Sequence, residues 1–172
     1  MRQQLIVSGI GGQGVLFLTR VLAEAALEKG LEVLTSETHG MAMRGGTVIS
    51  HIKVGDFRSP LIRRGQADVG LFIHAGNLEV HGGYLKQSSD VFINTSAPGD
   101  HHRIDATGIA RESGSIVVAN LVLLGFALTE GSLFCDDKAV EAVLRRISPP
   151  RQLELNLKGL LAGLNNNRKR NA

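Results

Sequence analysis

The stretch Gly9-Ile10-Gly11-Gly12-Gln13-Gly14 follows the apolar run Leu5 to Ser8 and opens directly into a helical run from Val15. A buried strand that breaks into closely spaced glycines and then a helix leaves N–H groups at the positive end of the helix dipole. Such a corner favours an anion. Its spacing satisfies G-x-G-x-x-G, so a dinucleotide fold is the first reading, and the elements after the helix decide whether it holds.

Val15 to Lys29 has Leu16, Thr19, Leu22, Ala23, Ala26 and Leu27 at helical spacing and Gly30 in the C-cap position. Leu31 to Ser36 supplies a second strand. A dinucleotide fold would now add another crossover helix. Instead Thr38 to Gly46 is rich in Gly and Met, and Thr47 to Val54 alternates, with Val48, Ser50, Ile52 and Val54 on one face. The missing crossover predicts an antiparallel return. The expected fold class is therefore α/β, three layers with a mixed, largely parallel sheet flanked by helices; the start is Rossmann-like, but it is not a true dinucleotide fold.

Beyond the turn Gly55-Asp56, strands are expected at Val69 to Ile73, Val91 to Asn94 and Arg103 to Asp105. A helical or turn segment is expected over Asn77 to Leu85, and a short helix near Ile109 to Glu112. Ile116 to Thr129 is apolar nearly all round and reads as a buried helix. Asp136 or Asp137 caps a helix through Ile147, and after Pro149-Pro150 comes an amphipathic helix with Leu153, Leu157, Leu160, Leu161 and Leu164 in register. Residues 1–164 form one domain on this reading, and 165–172 a flexible basic tail.

At 172 residues and 43% hydrophobic content the chain supports a single core. The net charge of +3 is matched by Arg168, Lys169 and Arg170 alone, and aromatic residues make up only 4% with no Trp, which argues against nucleic acid. One cysteine, Cys135, excludes an intrachain disulfide and any all-cysteine metal or iron–sulfur site in this chain. The six histidines show no helical zinc spacing, so no metal is expected. No signal peptide or membrane span is visible, and the chain reads as cytoplasmic.

The loop Ser36-Glu37-Thr38-His39-Gly40-Met41-Ala42-Met43-Arg44-Gly45-Gly46, taken with Gly9 to Gly14, resembles the gamma-type subunit of the 2-oxoacid:ferredoxin oxidoreductases. In that family a G-x-G-G-Q-G corner is followed, after about one β-α-β unit, by a segment ending in Arg-Gly-Gly or Arg-Gly and then a strand. The likeness covers most of the chain in order of elements. The variant Glu37-x-His39-Gly40-Met41-x-x-Arg44-Gly45-Gly46 looks most like the indolepyruvate branch, although 2-oxoglutarate and branched-chain members share the Arg-Gly-Gly ending.

The resemblance implies a hetero-oligomeric enzyme of anaerobic metabolism that converts a 2-oxoacid and coenzyme A to acyl-coenzyme A and carbon dioxide and reduces ferredoxin. It also implies that thiamine diphosphate, Mg and iron–sulfur clusters lie on partner subunits, and that this chain, inactive alone, serves active-site closure and assembly. Coenzyme A is a candidate contact, and apolar surface awaiting a partner suggests a homodimer when the chain is isolated.

The candidate substrate, coenzyme or interface residues are Gly9, Gly11, Gly12, Gln13, Gly14, Glu37, His39, Met41, Arg44, Gly45, Gly46 and Asn120, with no catalytic residue assigned. The glycines either hold an anion or a subunit, or only let the helix pack on the sheet. Gln13 orders a substrate or holds its own loop. Arg44, flanked by glycines, reaches a carboxylate or phosphate bidentately, or pairs with Glu37 to staple the loop. Met41 fits an interface, His39 a structural hydrogen bond or a role in its loop, and Asn120 a tie from its helix to a neighbouring loop or an interface. Two other functions compete: a stand-alone coenzyme module, with Glu37 on a ribose hydroxyl, and a purely structural assembly subunit.

Overall fold

The computed structural model describes residues 1–39 and 45–170, and the side chains of all of these except His39 and residues 167–170. A six-stranded sheet is ordered β2-β3-β1-β4-β5-β6. Its strands are β1 (Gln3–Ile10), β2 (Val33–His39), β3 (Thr47–Val54), β4 (Ala67–Phe72), β5 (Leu85–Asn94) and β6 (His102–Ile104). The helices are α1 (Val15–Glu28), α2 (Asn77–His81), α3 (Ala106–Glu112), α4 (Ala119–Thr129), α5 (Asp137–Ile147) and α6 (Pro150–Arg170). β1, β4, β5 and β6 run parallel, while β3 pairs antiparallel with both β1 and β2. The sheet is mixed, and the helix-less return through β3 is the reason.

The two faces are unequal. Odd residues of β1 (Leu5, Val7) and β4 (Val69, Leu71), with Val48, Ile52 and Val54 of β3, join α1, α3, α4, α5 and α6 in the larger core. The opposite face packs Ile6, Ile49, Phe72, Val91 and Ile93 beneath Ile62, Leu78 and Tyr84, so a loop and the single turn of α2 cover it. β3 is therefore buried on both faces, and even its alternating polar residues His51 and Lys53 lie inside.

Several boundaries differ from the sequence reading. β2 begins at Val33 and continues to His39, because Glu37 and His39 pair with Ser50 and Val48 of β3 and the loop starts later. β5 begins at Leu85 rather than Val91. Its polar first half lacks apolar alternation and joins β4 across an irregularity, with Lys86 ion-paired to Asp68. The helix expected from Ile116 starts at Ala119, after a 3-10 turn whose Ile116 and Val117 are 57% and 67% exposed. Asp136 is the cap of α5, accepting from the Ala139 N–H at 2.9 Å.

α6 continues to Arg170, past the boundary expected at Leu164. Its buried stripe also differs: Leu161 is 56% exposed, whereas Asn156, Gly159, Leu160 and Gly163 face inward. The cause is backbone packing. A Cβ at Gly125 of α4 would collide with the Leu160 carbonyl, and one at Gly163 with the Val122 carbonyl, so α4 and α6 cross where only glycine fits.

Candidate functional site

After β1 the chain crosses to the helical face as α1, and after β4 it crosses to the opposite face as α2. The carboxyl ends of these adjacent parallel strands therefore diverge. In open α/β sheets the crevice at such a point is where ligands bind. The glycine stretch forms one wall of it, and Ile73 to Asn77 forms the other.

Two of the glycines are required by their surroundings. A Cβ on Gly9 would stand 2.9 Å from both Gln13 Oε1 and Val15 Cγ2, so a side chain there would push the corner off the strand. Gly14, the N-cap of α1, has φ 76° and ψ 29°, a left-handed conformation that turns the chain from strand into helix. Among the described residues no side chain caps α1; the Gly14 carbonyl starts the helical ladder by accepting from Leu18 N–H at 3.0 Å. The first-turn N–H groups have no intrahelical acceptor, as at any helix start.

Gln13 turns back on its own loop: its Oε1 accepts from Ile10 N–H at 2.9 Å, and its backbone N–H donates to the Ile10 carbonyl at 3.1 Å. Asn120, 3% exposed near the start of α4, donates from Nδ2 to the Gly14 carbonyl at 3.1 Å. This places Asn120 as the tie between the buried helix and the corner. The Gly11 N–H donates to the Gly46 carbonyl at 3.0 Å, which brings the end of the second motif against the first. Gly45 there has φ 94°.

Glu37 and His39 lie elsewhere. β3 stands between β1 and β2, so the backbone at Glu37 is level with Val7 but two strands away, about 10 Å at ordinary strand spacing. In a dinucleotide fold the strand bearing the ribose acid lies directly beside β1, and here another strand occupies that position. Met41 and Arg44 fall outside the described residues.

Three residues unmarked in the sequence support the corner from below. Asn77 Nδ2 donates to the Gly9 carbonyl at 2.7 Å and to Ser8 Oγ at 3.0 Å, and Ser8 Oγ is 2.7 Å from His81 Nδ1. Because Oγ already accepts from Asn77, the chain of bonds closes when Ser8 donates to a neutral His81. Burial lowers the His81 pKa and keeps the ring neutral. Nearby His51 is lowered too, first by burial and then by His81 and Lys53. Ser8 and Asn77 are buried, so their bonds hold the corner from inside. On the other side, Asn94 Nδ2 donates to the Ile73 carbonyl at 3.0 Å and to Thr107 Oγ1 at 2.8 Å. The only sequence signal was position: each polar residue sits near the end of a strand or at one end of a helix.

A cavity of about 170 Å³ opens beside the corner, lined by Gly12, Gln13, Ile73, Thr107, Ile116, Val117 and Ala119. Its rim carries the exposed Ile116 and Val117, and Leu16 in the first turn of α1 is 42% exposed. Peptide N–H groups ringed by apolar side chains suit a site that another surface closes over.

Residues 4–166 match the family model described as pyruvate ferredoxin/flavodoxin oxidoreductase. The chain belongs to this family. It is 32% identical to indolepyruvate oxidoreductase subunit IorB of Archaeoglobus fulgidus over 96% of this chain and 95% of the relative. It is 30% identical to 2-oxoglutarate synthase subunit KorC of Methanothermobacter marburgensis, covering 95% of each. Among solved structures it is similar to the keto/oxoacid ferredoxin oxidoreductase gamma subunit of Geobacter sulfurreducens PCA, with a TM-score of 0.75 and 25% identity over 94% of this chain and 95% of that one. The mixed sheet with its helices is the architecture shared with these gamma subunits.

The residues of this family member can be tested against the cofactors the enzyme class implies. The single Cys135 is 6% exposed, and burial pushes its thiol pKa up to about 12, the opposite of what a cluster ligand needs. Among the described residues no group of three or more His, Cys, Asp or Glu could hold a metal ion. The described part of the corner offers peptide N–H groups and no carboxylate, so it does not fit a magnesium diphosphate either. No helix of the described residues is long and apolar enough to cross a membrane.

Proposed function

We propose that this chain is the gamma-type subunit of a thiamine-diphosphate-dependent 2-oxoacid:ferredoxin oxidoreductase, of the indolepyruvate type. The enzyme would convert an aryl-substituted 2-oxoacid and coenzyme A to acyl-coenzyme A and carbon dioxide, with the electrons passed to ferredoxin. The observation that carries the reading is the glycine corner at the β1/β4 crevice, on a chain aligned along nearly its whole length with subunits of such enzymes. Thiamine diphosphate, Mg and the iron–sulfur clusters would belong to partner subunits, where the thiamine would supply the decarboxylation chemistry and the clusters the electron transfer.

This chain's share is closure and assembly. The first-turn N–H groups of α1 face an anionic group of coenzyme A or a partner's carbonyl. The apolar rim of Leu16, Ile116 and Val117 excludes water once a partner surface covers it. Arg44, a short step before Gly45 and Gly46 at the corner, is the cation that would hold a carboxylate or phosphate there. By itself the chain has no turnover.

The test is anaerobic purification of the tagged chain from its own host, followed by oxoacid-dependent viologen reduction with a panel of 2-oxoacids. Co-purification of a thiamine-binding, cysteine-rich partner, with fastest turnover on indolepyruvate or another aryl-pyruvate, supports the proposal. A chain that emerges alone, inert and holding a nucleotide overturns it in favour of a coenzyme module. In the assembled enzyme, Arg44→Ala is expected to lower turnover without loss of assembly; unchanged turnover removes the site role of Arg44.

A further inference from the structure

A second concave surface lies at the far end of the sheet from the glycine corner, where β1 and β4 begin and β3 ends. It is a groove of about 570 Å³ lined by Arg2, Lys53, Arg58, Arg63 and Arg64 around the ring of Phe57, with Gln4 and Gln66 beside them. Among the described residues no carboxylate lines it. Asp68, next along β4, is already engaged by Lys86 and by the Gln4 N–H.

Lys53 is the unusual member. The residue is 8% exposed, and among the described residues no carboxylate partners it. Its pKa is lowered by burial, then by the cations Arg63 and Arg2. Arg2 lies 4.2 Å and Lys53 5.1 Å from the centroid of Phe57, so the ring offers both cations partial compensation. Arg64 rests more loosely on Tyr84, at 5.8 Å. An ammonium whose stem is covered and whose head sits among like charges is disfavoured, and an anion entering the groove relieves that repulsion.

We propose that this groove is a binding site for a small, multiply charged phosphate anion of the diphosphate class. A concave site with a cation at its floor and guanidinium groups at its rim matches a compact anion that reaches inward. An acidic protein segment would meet mainly the exposed arginines and leave Lys53 unpaired. Guanidinium groups bind phosphate oxygens bidentately, and Gln4 and Gln66 add polar contacts at the edge. The groove is separate from the crevice at β1 and β4, and the inference does not depend on oxoacid turnover.

The test is calorimetric titration of the full chain with pyrophosphate, with ADP and with a glutamate-rich peptide, at low and at physiological salt. Pyrophosphate is expected to bind, to weaken with salt, and to lose about tenfold or more in affinity in Arg63→Ala. Lys53→Met is expected to lose at least as much while keeping the circular dichroism of the parent and a thermal midpoint no lower than the parent's. Tighter binding of ADP than of pyrophosphate identifies a nucleotide as the source of the diphosphate; equal binding shows that only the phosphates are read. The proposal is overturned if millimolar pyrophosphate does not bind or if Arg63→Ala and Lys53→Met bind it as the parent does. Tighter binding of the peptide than of pyrophosphate overturns it too, in favour of an acidic protein partner.

Discussion

Replacing Gly14 with alanine tests the account of the corner most directly. Gly14 has φ 76°, where an L-residue costs about 1–2 kcal/mol. A Cβ there would also collide with Asn120 Nδ2, displacing the amide from the Gly14 carbonyl. Losing that bond from a side chain 3% exposed costs about 1–3 kcal/mol. Gly14→Ala should therefore destabilise by about 2–5 kcal/mol, read as a lower urea midpoint at unchanged m.

Asn120→Ala alone should cost about 1–2 kcal/mol, because the Gly14 carbonyl keeps Leu18 as donor. In the double variant the methyl group added by Gly14→Ala enters space that the amide has left. The two losses should then fall short of their sum by about 1–3 kcal/mol, beyond the error of a double-mutant cycle. If Gly14→Ala costs no more than the left-handed conformation, and the two losses add, the contact between α4 and the corner does not hold the corner in place.

Gly125→Ala should destabilise by about 2 kcal/mol in thermal unfolding, since its Cβ meets the Leu160 carbonyl; a gain of about 1 kcal/mol, as helix propensity alone dictates, would refute the close crossing of α4 and α6. His51 and His81 have pKa values lowered in the folded state, so on acidification below about 6.5 the unfolded chain takes up protons that the folded one resists. Stability should be complete above that pH and fall as pH drops through the window below it. The urea midpoint between pH 7.5 and 5 should show this, and His51→Gln/His81→Gln should flatten the slope. Cys135, with its thiol pushed up to about 12, should react with a thiol reagent at neutral pH only in denaturant; rapid reaction of the native chain would contradict its burial.

Local pattern was enough for much of this architecture. The apolar run at Leu5, the glycines after it and the helical spacing from Val15 announce β1, the corner and α1, because each is decided by a few neighbouring residues. The alternation from Val48 to Val54 without a preceding helix sufficed to require an antiparallel return. Recognition of the family rested on two motifs whose spacing survives in sequence. Boundaries were less legible where pairing overrode composition: the polar run Lys86 to Asp90 is strand because β4 offers it a partner, and β2 continues through Glu37 because β3 does.

Placement across strands was decided only by the tertiary structure. Sequence distance put Glu37 at a suitable interval after the glycines, but insertion of β3 between β1 and β2 moves its strand one position outward and away from the crevice. Asn77 and His81 are remote from Gly9 in sequence, and only the parallel pairing of β1 with β4 brings their side chains beneath the corner. Asn120 reaches Gly14 for a similar reason: α4 must bury an apolar surface on all sides, and its place under the sheet aims one amide at the N-cap of α1. Hydrophobic periodicity states which residues go inside; it carries no information about which strand will be the neighbour. That choice, made by the packing of the whole chain, turned a common glycine pattern into a particular site.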